Sequence, residues 1–102
     1  MNPDIERARR ESIRWLILLA LNNARPIGAG ERLILTIAQA EYPDVTEHEM
    51  RRELDYLEDR KLVDINKKPS GQWHAELTRC GTDIAEYTID CGPGIARPEK
   101  YW

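Results

Sequence analysis

The sequence predicts one α+β domain built from helices and a β-hairpin. Three observations carry that prediction. Apolar residues recur at spacings of three and four between residues 31 and 57. Thr46-Glu47-His48-Glu49 has the form of a capping box, which opens a helix. The period then changes to two across Trp73-His74-Ala75-Glu76-Leu77, after the turn-rich Asn66-Lys67-Lys68-Pro69-Ser70-Gly71. A chain of 102 residues, 41% hydrophobic and 32% charged, has the size and composition of one globular domain. That excludes a collagen-like, low-complexity or multi-domain chain.

Each element follows from local chemistry. Residues 4–22 read as a first helix, with Asp4 and Glu6 in the turn where the helix dipole favours carboxylates. Its second half, Trp15 to Leu21, is apolar on every side, so the helix is expected at the centre of the core or partly at a subunit contact. Asn22-Asn23 and Pro26 end it, and Pro26-Ile27-Gly28-Ala29-Gly30 reads as a flexible loop. Glu31 to Ala40 reads as a second helix with Leu33, Ile34, Ile37 and Ala38 on one face. The helix opened by Thr46 runs to about Lys61 with Met50, Leu54 and Leu57 as its inner stripe, and Val45 placed to staple onto Met50. Leu62 to Ile65 and Trp73 to Leu77 form the hairpin, with Trp73 expected at its base. Thr78 caps a last helix over Arg79 to Thr88, with Ile84, Ala85 and Tyr87 facing inward. Residues 1–90 are thus read as the domain and 91–102 as a C-terminal tail, in which Ile95, Tyr101 and Trp102 could dock.

Three helices, a basic-tipped hairpin and a C-terminal helix, in that order, make a winged helix-turn-helix. Residues 31–88 carry a family resemblance as well. The string from Met50 to Val63, Met50-Arg51-Arg52-Glu53-Leu54-Asp55-Tyr56-Leu57-Glu58-Asp59-Arg60-Lys61-Leu62-Val63, resembles the recognition helix and first wing strand of winged-helix regulators. Leu77-Thr78-Arg79-Cys80-Gly81 resembles the L-T-x-x-G that follows the wing in MarR- and PadR-type proteins. The whole chain, with its closing Pro93-Gly94-Ile95-Ala96-Arg97-Pro98, is similar to small winged-helix proteins of Mu-like prophages. The resemblance implies double-stranded DNA as partner and a small transcriptional regulator as role.

In that arrangement the third helix enters the major groove and its outward side chains meet base edges. Those are Glu47, His48, Arg51, Arg52 and Asp55. Arg51 or Arg52 suits a bidentate contact to guanine, and a carboxylate can accept from cytosine N4. Lys67 and Lys68, at the hairpin tip, suit phosphates. Charge points the other way. Residues 36–66 hold nine acidic and four basic groups, and at physiological salt charges act over about 8 Å. On a solvated helix Arg51 and Arg52 would simply pair with Glu47, Asp55 and their neighbours. The alternative is therefore a protein-interaction or assembly module that has kept the fold without the DNA role. Separately, the first helix or the C-terminal tail is a candidate homodimer contact.

Other chemistries lack support. His48, His74, Cys80 and Cys91 show no zinc-ligand spacing, so no metal or other cofactor is expected. Gly28-Ala29-Gly30 lacks the Lys-Ser/Thr of a phosphate loop. No nucleophile–base pair has a supporting context, and the protein is expected not to be an enzyme. The longest apolar run has seven residues where a membrane span needs about 20. Although it follows Arg7, Arg9 and Arg10, no cleavage site succeeds it, and a cytoplasmic protein is expected.

Overall fold

The structure, a computed structural model, describes residues 3–100. Its elements are α1 (Pro3–Asn23), β1 (Ala29–Gly30), α2 (Glu31–Glu41), α3 (Glu47–Asp59), β2 (Val63–Lys67), β3 (Trp73–Leu77) and α4 (Arg79–Ala85). The fold is α+β: four helices and a three-stranded antiparallel sheet in the order β1-β3-β2. Among the described residues no helix is long and apolar enough to cross a membrane.

The all-round apolar stretch of α1 is central. Ile13, Ile17, Leu18 and Leu21 are fully buried, and α1 packs against α2, α3, α4 and β3. Trp15 is buried too, edge-to-face on Tyr87 with ring centroids 6.0 Å apart. Helix α2 turns Ile34 and Ala38 inward. Leu33, expected on the same face, is 53% exposed, whereas Leu35 packs against the core. The α3 stripe of Met50, Leu54 and Leu57 is fully buried, with Val45 beside its entry. Each such side chain contributes about 1.5–3 kcal/mol through the water it leaves.

The expected loop before α2 contains a strand. Ala29 pairs with Ala75 and Gly30 with His74, so this segment is fixed to the sheet rather than flexible. Gly28, at φ +82°, lies so close to β3 that a Cβ would overlap the Ala75 carbonyl oxygen. Only glycine meets both demands.

Helices α3 and α4 end earlier than their periodicity suggests, and for one reason. After α3 the Leu62 N–H donates to the Leu57 carbonyl (2.9 Å) and the Lys61 N–H to that of Glu58 (2.8 Å), with Lys61 at φ 63°. After α4 the Thr88 N–H donates to Asp83 (2.8 Å) and the Tyr87 N–H to Ile84 (3.2 Å), with Tyr87 at φ 62°. Both are Schellman closures made without the usual glycine, which is why neither stop was visible. Lys61 therefore belongs to the turn, and Tyr87 lies beyond α4.

The hairpin register sets Val63 opposite Leu77, Ile65 opposite Ala75 and Lys67 opposite Trp73. Trp73 thus stands beside the tip, not at the base. At the tip the Gly71 N–H closes a turn onto the Lys68 carbonyl (2.9 Å). At the outer side of β2 the Glu58 carboxylate accepts the Ile65 N–H at 3.0 Å.

Thr78 explains the L-T-x-x-G string physically. Its hydroxyl oxygen accepts the Gly81 N–H (3.1 Å), capping α4, and donates to the Lys61 carbonyl (2.7 Å). Its own N–H donates to Leu62 (3.0 Å). Gly81 is buried where a Cβ would overlap the Leu62 carbonyl oxygen.

Residues beyond α4 return to the body. Cys91 and Ile95 are buried in the core. Arg60 donates to the carbonyls of Cys91 and Pro93, Arg14 to that of Gly94, and Arg97 to those of Ile84 and Ile89. The Ala96 N–H donates to Glu11 at 3.1 Å. Tyr101 and Trp102 lie outside the described residues.

Candidate nucleic-acid interface

Helix α3 is amphipathic, so burying Met50, Leu54 and Leu57 fixes what it presents outward. Glu47, His48, Arg52 and Asp55 are all exposed on it. Thr46 holds its start, accepting the Glu49 N–H at 3.1 Å. The other half of the expected capping box is replaced, because the Glu49 carboxylate receives Arg9 Nε and Nη2 from α1 at 2.8 and 3.0 Å.

Arg51 is placed differently from Arg52. Its Nε and Nη2 each donate to one Glu31 carboxylate oxygen at 2.6 Å, and Nη2 donates also to the Gly71 carbonyl at 2.9 Å. Glu47 lies 3.2 Å from the same nitrogen, and the guanidinium stands 4.7 Å from the Trp73 ring centroid. Glu31 is only 6% exposed. Its carboxyl is held below the usual range chiefly by the Arg51 hydrogen bonds, against the opposing effect of burial, with the Trp73 backbone N–H adding to the lowering. Arg52 is 60% exposed, with Nε 3.8 Å from Glu53.

The hairpin supplies the remaining candidates. Lys67 is exposed and its ammonium lies 4.5 Å from the Trp73 centroid, so Trp73 serves two cations. Lys68 is exposed at the tip. The structure therefore gathers Arg52, His48 and Asp55 on one open helix face, with Lys67 and Lys68 on the neighbouring hairpin. It sets Arg51 and Glu47 into the joint between them.

Part of the acidic middle of the sequence is matched from within the fold. Arg9 reaches Asp44 at 3.0 Å as well as Glu49, and Arg14 Nε donates to Glu53 at 2.8 Å. Both arginines come from α1, outside the acidic segment. Asp44, Glu49 and Glu53 are matched in this way, while Asp55 and Asp59, exposed on the same helix as Arg52, have no ion-pair partner among the described residues.

Glu31, Glu53, Arg14 and Trp73 were not legible as partners in these joints. A signal existed for two of them. Glu53 falls in the α3 stripe with Met50, Leu54 and Leu57, and Glu31 falls on the α2 face of Ile34 and Ala38. A carboxylate at a core position requires a partner. Among the described residues no group of three His, Cys, Asp or Glu is arranged to hold a metal ion.

A solved structure from Ralstonia eutropha JMP134, described provisionally as a DNA-binding protein, is similar to this chain with a TM-score of 0.63. The two are 24% identical, and the match covers 76% of this chain and 95% of that one. That likeness concerns the fold. No protein-family model and no curated protein matches the chain.

Proposed function

We propose that this chain is a winged-helix protein that binds double-stranded DNA, acting by binding rather than catalysis, as a small transcriptional regulator. In this reading α2 and α3 are the helix-turn-helix and the β2–β3 hairpin is the wing. The observation that carries it is the exposed α3 face of His48, Arg52 and Asp55 on the same molecule as a hairpin tip bearing exposed Lys67 and Lys68, the tip being tied to α3 through Arg51. The provisional description of the Ralstonia protein supports it at the level of fold. Arg52, exposed and loosely held, is the side chain suited to guanine O6 and N7, and Asp55 to a neighbouring cytosine N4. Lys67 and Lys68 suit phosphates.

The test is a titration of a labelled mixed-sequence duplex at low and then higher salt. Log affinity should fall linearly with log salt, by about 0.9 for each phosphate neutralised. Arg52→Ala should cost about 1–3 kcal/mol on a preferred site, and Lys68→Ala should weaken all sequences alike. No binding at low salt removes this function.

A second reading, a protein-interaction module on the same fold, is favoured by one observation. Ile27 and Leu33 are 77% and 53% exposed around the start of α2. Scattered apolar side chains are ordinary on protein surfaces, so the first reading stands ahead.

A further inference from the structure

We infer that Arg51 is a positioning residue that fixes the distance and tilt of the hairpin tip relative to α3, and that it does not itself meet a base. The inference rests on the DNA-binding reading and assigns a different task to one residue of that site. Three observations carry it.

The first is donor use. A guanidinium reads guanine through two neighbouring N–H groups. In Arg51 the Nε and Nη2 donors are already given to Glu31 and to the Gly71 carbonyl. Nη1 alone has no hydrogen-bond or ion-pair partner among the described residues. Bidentate readout would therefore require opening a charge-assisted fork onto a buried carboxylate, one of the stronger polar contacts a protein makes.

The second is where Arg51 stands. A cleft of about 240 Å³ separates α2 and α3 from the tip, lined by Arg32, Leu35, Ser70 and Gln72 among others. Arg51 reaches across it from α3 to the Gly71 carbonyl of the tip and the Glu31 carboxylate of α2. Nearer the base, the hairpin is held by other means, including the Glu58 contact to Ile65 and the β1 pairing.

The third is the shared ring. Arg51 and Lys67 both lie within cation–π distance of Trp73. The residue that orients Trp73 thereby orients the surface on which Lys67 rests. Glu31 completes the joint by receiving both Nε and Nη2 of Arg51.

The test pairs a DNA measurement with one on the free protein. Glu31→Gln is the key variant: Glu31 is buried and cannot touch DNA, and glutamine keeps its shape. In the free protein, Glu31→Gln and Arg51→Ala should speed amide exchange at Lys68, Gly71 and Trp73 by about tenfold or more, while α1 amides keep parental rates. On DNA, both variants should weaken all duplex sequences alike and lower the salt slope by up to about 2, as expected when two tip lysines lose their phosphates. In a Lys67→Ala/Lys68→Ala background, Arg51→Ala should then add little, because the effect passes through those lysines. Parental exchange rates at the tip overturn the inference. So does an Arg51→Ala penalty that persists in the lysine-free background and depends on the base sequence. If the parent binds no DNA, the functional reading fails, and the exchange data alone decide for or against the positioning role. Should Arg51→Ala fail to fold, Glu31→Gln carries both measurements.

Discussion

Arg14 and Glu53 form an ion pair inside the protein, Nε to Oε1 at 2.8 Å, with the Glu53 side chain 1% exposed and that of Arg14 13%. The guanidinium also lies 3.5 Å from the Tyr56 ring centroid and donates to the Gly94 carbonyl. One arginine thus joins α1, α3 and the segment after α4. Removing one member of such a pair strands a charge in a dry environment. Arg14→Ala should cost about 3–5 kcal/mol, whereas Arg14→Met combined with Glu53→Leu should return close to parental stability. Urea unfolding of the two variants and the parent decides this, and equal losses in both variants would refute it.

Gly81 gives a second prediction. The glycine is needed for space, not for its backbone angles, because the Leu62 carbonyl occupies the position of a Cβ. Gly81→Ala should destabilise by about 1–3 kcal/mol, as overpacking does, despite the better helix propensity of alanine. A thermal melt at or above the parent's would contradict it.

The Glu31 joint gives a pH dependence with a definite sign. Its folded pKa is lowered, so the joint contributes its full stability above the ordinary Glu value of about 4.3 and loses it as pH falls through the lower folded value. Parent and Glu31→Gln should therefore differ most near neutral pH and converge as the solution is made acidic. Urea midpoints across that range check the convergence; a gap that widens in acid would reverse the sign.

The two thiols should separate by reactivity. Cys80 is exposed, while Cys91 is buried with its thiol pKa pushed up by burial. An alkylating agent at mildly alkaline pH should label Cys80 quickly and leave Cys91 until the protein is unfolded. Mass spectrometry of the native protein should show one adduct, and rapid double labelling would place Cys91 outside the core.

Much of the fold was legible because its signals are local. The Thr46 and Thr78 caps act within three residues, and the α3 stripe and the Trp73–Leu77 alternation are periodic. What escaped depends on neighbours distant in sequence. β1 is two residues long and exists because β3 pairs with it. The stops at Lys61 and Tyr87 use left-handed residues that carry no glycine marker. For the candidate site, the outward placement of His48, Arg52 and Asp55 followed from the helix period alone. The capture of Arg51 by Glu31, twenty residues earlier, could not follow from it.

The contact between Glu58 and the Ile65 N–H also bears on solubility. β2 is the outermost strand of the hairpin, and a bare strand edge invites a neighbouring molecule to zip on and seed fibrils. Here a carboxylate from α3 occupies the middle donor of that edge, while Asp64 and Lys67 set opposite charges on either side. The same helix that offers its polar side outward thereby guards the sheet against self-templating.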